Sequence, residues 1–276
     1  MIKHILVPTD GSSPAWIGVR YAIALASQHK AKLHGLHVVD VKLLEGPFLR
    51  DISASLGTSP YANYRGNLSM ILEERGKAIL QSFREECETT GVDCDTIQTA
   101  GIVAHTIVEQ SELADLIIMG RAGEHDDWLD GLLGSTTEAV ARKAVRPVLI
   151  TGVDHPGGDR FLVAYDGSTH ARTALQTAAN MCHEWGARLH VLSVGTEYGE
   201  RRIQEAQKYL EPHELEVEYT VMEGDPREVI VRHAGAMEAD LLILGAYGHS
   251  KVRELLVGST TAHALNHAPC PLLLVR

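Results

Sequence analysis

The sequence predicts an α/β protein of two tandem, doubly wound domains, each a parallel sheet with helices on both faces. Three observations lead there. Short apolar runs alternate with helical patterns along the chain, the arrangement expected of strand–helix–strand units joined by right-handed crossovers. The runs are β-branched and nearly continuous in apolar residues, as befits strands covered on both faces. Finally, the chain repeats itself over a period too long for a solenoid.

The first repeat opens on Ile5-Leu6-Val7 and the turn Asp10-Gly11-Ser12, the second on Phe161-Leu162-Val163 and Asp166-Gly167-Ser168. Ser13-Pro14 then reads as an N-cap with proline at the first helical position, opening a helix to about His29. Its counterpart runs from about Thr169 to Trp185 and stops at Gly186, a left-handed C-cap. Ala31 to Val38 then matches Ala187 to Val194, with Val38 and Val194 at the carboxyl ends of the next strands. Asp10 aligns with Asp166 at an offset of 156 residues, whereas Gly134 aligns with Gly258 at 124. The 32 extra residues lie mostly between Val39 and Gly101. Within them Glu45 to Asn67, with Gly46-Pro47 and Gly57-Thr58-Ser59-Pro60, shows no sustained period and reads as a lid, a partner-contact loop or plain disorder. Asp225-Pro226 is a further cap-and-proline helix start. The expected domains are residues 1–152, carrying the 45–67 insertion, and 158–276.

The most informative motif closes each repeat. Leu241 to Gly245 leads to Gly248 and then Gly258-Ser259-Thr260-Thr261, a G-x2-G-x9-G-S-T pattern. Leu116 to Gly120 leads to Gly123 and Gly134-Ser135-Thr136-Thr137, with ten residues in the gap instead of nine. A buried strand feeding a glycine loop that opens a helix is a phosphate-binding arrangement. The glycines allow close approach and the first helical N–H groups point at the anion. Ser135 and Ser259 are good N-caps whether or not phosphate is present, and Ser135 to Glu138 reads as a capping box. Asp10 and Asp166 also suit local Asx turns.

Composition narrows the function classes. The chain has 276 residues, 45% of them hydrophobic, and a formal net charge of −11, which argues against nucleic-acid binding. Met1-Ile2-Lys3-His4 runs straight into a strand, and no apolar run is long enough to span a bilayer, so a cytoplasmic location is expected. Cys87, Cys94, Cys182 and Cys270 contain no C-x-x-C pair and read as reduced thiols. Among the histidines, His263/His267 and His34/His37 lack a third ligand at metal-site spacing, so no metal-ligating residues are assigned. Trp16, Trp128 and Trp185 read as core or interface residues, and the pairs Glu85-Glu86 and Arg201-Arg202 as solvated helix faces. The chain lacks G-x4-G-K-[ST] and the Ser-Gly-Gly-x-Asp-Ser turn of PP-loop pyrophosphatases, and no nucleophile–base set stands out. No catalytic residues are therefore assigned, and efficient turnover is not expected.

Taken in order, the Asp-Gly-Ser turn, His37-Val38-Val39-Asp40, Gly224-x-Pro226, the glycine motif and the Pro147- and Pro271-led last strands resemble the universal stress protein family in its tandem form. The resemblance implies Rossmann-like, adenine-nucleotide-hydrolase-like sheets of five parallel strands in order 3-2-1-4-5. It also implies pairing of the last strands, around Val148–Thr151 and Leu272–Val275, into an intramolecular pseudo-dimer. A further homodimer and the protein partner stay open. In ATP-binding members the aspartate lies beside ribose and Mg²⁺, the strand-two valine backbone meets adenine, and the glycine loop with its Ser/Thr pair holds ribose and phosphates. Carried over, the second set is Asp166, Val194, Gly224, Gly245, Gly248, Gly258, Ser259, Thr260 and Thr261. The first set is Asp10, Val38, Gly101, Gly120, Gly123, Gly134, Ser135, Thr136 and Thr137. The implied cofactor is ATP with Mg²⁺ bound through its phosphates, in a stress-response regulatory or sensor module. The alternatives are a nucleotide-independent interaction module and a slow ATPase. Charge ranks the sites: Arg121, Glu124, Asp126, Asp127 and Asp130 make the first loop acidic, whereas Lys251, Arg253 and Glu254 leave the second net basic, favouring triphosphate there.

Overall fold

The computed structural model describes residues 2–45, 61–123, 133–153, 156–246 and 258–276. In the first half β1 (His4–Pro8), α1 (Ser13–His29), β2 (Lys32–Asp40) and the short α2 (Val41–Glu45) precede a long α3 (Tyr61–Thr90). Then come β3 (Cys94–Gly101), α4 (Val103–Gln110), β4 (Leu116–Gly120), α5 (Ser135–Lys143) and β5 (Val148–Thr151). The second half repeats this as β6 (Arg160–Ala164), α6 (Thr169–Trp185), β7 (Arg188–Val194), α7 (Thr196–Leu210) and β8 (Val217–Met222). It closes with α8 (Pro226–Ala236), β9 (Leu241–Gly245), α9 (Ser259–His267) and β10 (Leu272–Val275).

All ten strands form one sheet in the order β3-β2-β1-β4-β5-β10-β9-β6-β7-β8. Each half is thus a parallel 3-2-1-4-5 arrangement, and β5 and β10 meet antiparallel with Leu149 opposite Leu273. The last strands pair as the family resemblance implies, so the two parallel sheets become one continuous surface. Alternation along β4 divides the core between the faces. Leu116 and Ile118 join a cluster with Val19, Leu25, Leu175 and Leu273, while Ile117 and Met119 join one with Leu6, Val140, Leu242 and Leu274. Each cluster draws on both halves, so apolar burial on either face ties them together.

Helix starts follow local chemistry. The cap of α1 is Ser12, whose Oγ accepts from Ala15 N at 3.3 Å, one residue earlier than the expected Ser13, and Pro14 lies in the first turn. Ser168 caps α6 identically through Ala171 N at 3.1 Å, and Asp225 caps α8 through Arg227 N. Gly186 ends α6 at φ +65°, as expected. The equivalent residue after α1 is Lys30, held in the same left-handed region at φ +52°, where a side chain is strained. The expected loop from Glu45 to Asn67 is corrected at its end: residues 61–67 belong to α3, and 46–60 lie outside the described residues. Trp185 stacks on His29 of α1 at 4.7 Å and meets Phe161 edge-on at 5.5 Å, an interface role linking the halves, while Trp128 lies outside the described residues.

Candidate functional site at the carboxyl ends of the strands

In both halves the central strand has parallel neighbours on its two sides, β2 and β4 around β1, β7 and β9 around β6. Crossovers to opposite sides leave a crevice at the strands' carboxyl ends. Asp10 and Asp166 stand there. Each carboxylate Oδ1 accepts from the amide two residues on, Ser12 N at 3.0 Å and Ser168 N at 2.9 Å. The Asx turn therefore holds, fixing the carboxylates at the crevice mouth.

In the first half, Asp10, Val38, Gly120, Gly123, Thr136 and Thr137 come together around one cavity of about 80 Å³. Leu36, Val103, Ile107 and Met119 are among the other residues that line it. These apolar residues were not singled out from sequence, because they read as ordinary strand and helix positions. Gly101 ends β3, paired with Asp40. In the second half Asp166, Val194, Gly224, Gly245, Gly258, Ser259, Thr260 and Thr261 occupy the equivalent places, and Gly248 lies outside the described residues. The charged residues that ranked the two sites, Arg121 excepted, lie outside them as well.

The glycines divide into two kinds. A Cβ on Gly120 would lie 2.1 Å from Pro14 O, and one on Gly245 would lie 2.6 Å from His170 C, both backbone atoms of the neighbouring helix. These glycines let α1 and α6 pack against the strands, and Gly120 also lines the cavity. A Cβ on Gly101 would lie 2.2 Å from the side-chain Thr106 Oγ1, and Gly224 has φ +122°. Gly134 (φ −66°, ψ 144°) and Gly258 (φ −56°, ψ 148°) are different, since any residue adopts such dihedrals.

Those two residues are the N-caps of α5 and α9, correcting the expectation that Ser135 and Ser259 cap, and among the described residues no side chain caps either helix. The first intrahelical bonds are Glu138 N to Gly134 O and Ala262 N to Gly258 O, so three N–H groups precede them in each helix. The expected capping box does not form, because Glu138 pairs with Arg142 one turn on. Thr137 and Thr261 are buried, and their hydroxyls donate to Gly120 O at 3.2 Å and Gly245 O at 3.4 Å. They fasten each helix to its strand, whereas Ser135 and Ser259 are exposed.

The halves differ at the second strand. Arg202 of α7 donates to Val194 O at 3.3 Å and lies over the Tyr198 ring at 5.9 Å. It is therefore part of the candidate site and not a solvated helix face, a role invisible in a polar Arg-Arg pair.

Residues 1–152, 158–198 and 195–276 each match the family model described as the universal stress protein family. The chain belongs to the universal stress protein family. A universal stress protein of Synechocystis is 29% identical over 287 residues, covering 100% of both chains. One from Methanocaldococcus jannaschii is 33% identical over 153 residues, covering 54% of this chain and 82% of its own. The crystal structure of a universal stress protein from Archaeoglobus fulgidus superimposes with a TM-score of 0.79 at 23% identity, covering 99% of this chain and 98% of that one, and so shares the fold. Among the described residues no helix is long and apolar enough to cross a membrane.

Proposed function

We propose that this universal stress protein is a cytoplasmic regulatory module of two domains, 1–152 and 158–276, that binds an adenine nucleotide, ATP with Mg²⁺, at the strands' carboxyl ends. The observation that carries the reading is the pair of helices led by Gly134 and Gly258. Their first-turn amides precede the first intrahelical bond, no side chain among the described residues caps them, and the backbone dihedrals there do not require glycine. Glycine at a helix start whose dihedrals any residue adopts is what close approach of a phosphate calls for. Asp10 and Asp166 would face ribose and metal, and the Val38 and Val194 backbone the base. The first cavity, at about 80 Å³, encloses a fragment of such a ligand, with the remainder across its mouth toward α5. The second site is the stronger for triphosphate, on the charge difference between the loops.

A nucleotide-independent interaction module is the second reading. The Arg202 contact favours it in the second half, because the guanidinium occupies the Val194 carbonyl proposed to meet adenine. Mass spectrometry of nucleotide released from purified protein, followed by ATP titration, separates the two. ATP recovered or bound supports the proposal; nucleotide-free protein that also fails to bind added Mg-ATP supports the second reading. Steady-state hydrolysis abolished by Asp166→Ala would assign slow ATPase activity in addition.

A further inference from the structure

The halves share a second recurring arrangement at the amino ends of the strands, away from the glycine-led helices. His34 and His190 occupy equivalent positions, and each lies in register beside an acid on the edge strand, Asp95 on β3 and Glu218 on β8. His34 Nδ1 is 2.6 Å from Asp95 Oδ1, and His190 Nδ1 is 3.4 Å from Glu218 Oε2. In a neutral ring the nitrogen facing a carboxylate carries the proton, which leaves Nε2 with a lone pair. In each half a second imidazole approaches that Nε2. His4 Nδ1, from β1, is 3.0 Å from His34 Nε2, and His233 Nε2, from α8, is 3.2 Å from His190 Nε2.

Different elements thus bring a second ring to the same atom. A single hydrogen bond accounts poorly for the second half, because Thr220 Oγ1 also stands 3.0 Å from His190 Nε2. Two neighbours then share one lone pair. Two imidazole nitrogens bound at about 2.0–2.1 Å to a tetrahedral cation lie roughly 3.3 Å apart, close to both separations. Burial pulls His190 and His233 below the ordinary imidazole value, which favours the neutral, ligating form. His190 is largely enclosed, whereas Glu218 stays exposed, so solvent reaches one side.

We propose that each half carries a two-imidazole site for a borderline divalent transition cation: His4 with His34, and His190 with His233. The carboxylates of Asp95 and Glu218 orient the inner rings, and water fills the remaining positions. Among the described residues no group of three or more His, Cys, Asp or Glu gathers around one point, so these are open sites. Lys32 Nζ lies 3.3 Å from Asp95 Oδ2 and opposes a cation, making the second-half site the tighter.

The test is calorimetric titration of Zn²⁺ into full-length, metal-free protein made without a histidine tag. An H263Q/H267Q background removes the neighbouring pair on α9, whose rings lie 4.4 Å apart. Two equivalents are expected. H233Q, which removes the outer ring and spares His190, should weaken the tighter site by about tenfold or more, and H4Q should do so for the weaker site. Zn²⁺ should also raise the melting temperature of the background protein and lose that effect in H4Q/H233Q. Unchanged stoichiometry and affinity in H4Q/H233Q, or no binding below about millimolar Zn²⁺, would overturn the proposal.

Discussion

Arg121 follows directly on Gly120, yet its guanidinium crosses to the other half of the chain. Nη1 donates to Ala268 O and Nη2 to Leu265 O, both at 2.9 Å, at the carboxyl end of α9. The last carbonyls of a helix have no intrahelical donor and carry the negative end of its dipole, so a cation there satisfies both needs. Burial pulls the Arg121 guanidinium below its ordinary basicity, which shows that placing the charge there has its own cost. Arg121→Met keeps the unbranched aliphatic stem and removes charge and donors. Two charge-assisted hydrogen bonds contribute about 1.5–3 kcal/mol each. After the recovered desolvation of the guanidinium, a net loss of about 2–4 kcal/mol is expected. At roughly 2–4 °C per kcal/mol for a chain of this size, the melting temperature should fall by about 5–15 °C. Thermal and urea unfolding followed by circular dichroism measures it. A loss below about 0.5 kcal/mol would refute the reasoning that this arginine clamps the halves.

The two kinds of glycine should separate on substitution. Gly120→Ala and Gly245→Ala should destabilise by about 1–3 kcal/mol or more, because the new methyl meets helix backbone. Gly134→Ala and Gly258→Ala should cost less than about 1 kcal/mol yet weaken nucleotide binding, as read by melting curves and ATP titration. Lys30→Gly should stabilise the chain by up to about 1 kcal/mol, measured by urea midpoint, because it relieves a side chain at φ +52°. His190 and His233 are depressed in the folded state, chiefly by burial, so the unfolded chain takes up protons first as pH falls. Their stabilising effect is complete above the ordinary imidazole pKa and is lost as pH drops below about 6.5. The urea midpoint of H190Q/H233Q should depend less on pH between about 7 and 5 than that of the wild type.

Much of the architecture was legible because it is written twice. The Asp-Gly-Ser turns, the strand runs and the glycine motifs recur in order, and repetition filters out accidental matches. The Asp225 cap and the Gly186 stop were legible because each rests on one residue's local chemistry. The α1 cap was misplaced by one residue because Ser12 and Ser13 are adjacent and both can cap. The start of α3 was missed because Tyr61 to Asn67 has weak helix formers and no apolar period, and the regular stretch beyond it carries the helix.

The site was legible in position but not in role. That Gly120 is needed for packing depends on Pro14, over a hundred residues away in sequence, and no spacing rule contains that contact. Arg202 was hidden for the same reason, since only the fold brings it to the Val194 carbonyl. The His4–His34 and His190–His233 pairs join residues on different elements, so neither has a sequence interval that reads as a metal motif.

The account rests on the helix-start amides after Gly134 and Gly258 meeting the phosphates of a nucleotide. Amide-resolved NMR of ¹⁵N-labelled protein, titrated with Mg-ATP, tests this directly. The Ser135 to Thr137 and Ser259 to Thr261 amides are predicted to shift saturably and to gain protection from hydrogen exchange. If those signals stay unchanged at millimolar Mg-ATP while the chain remains folded, the central claim is contradicted.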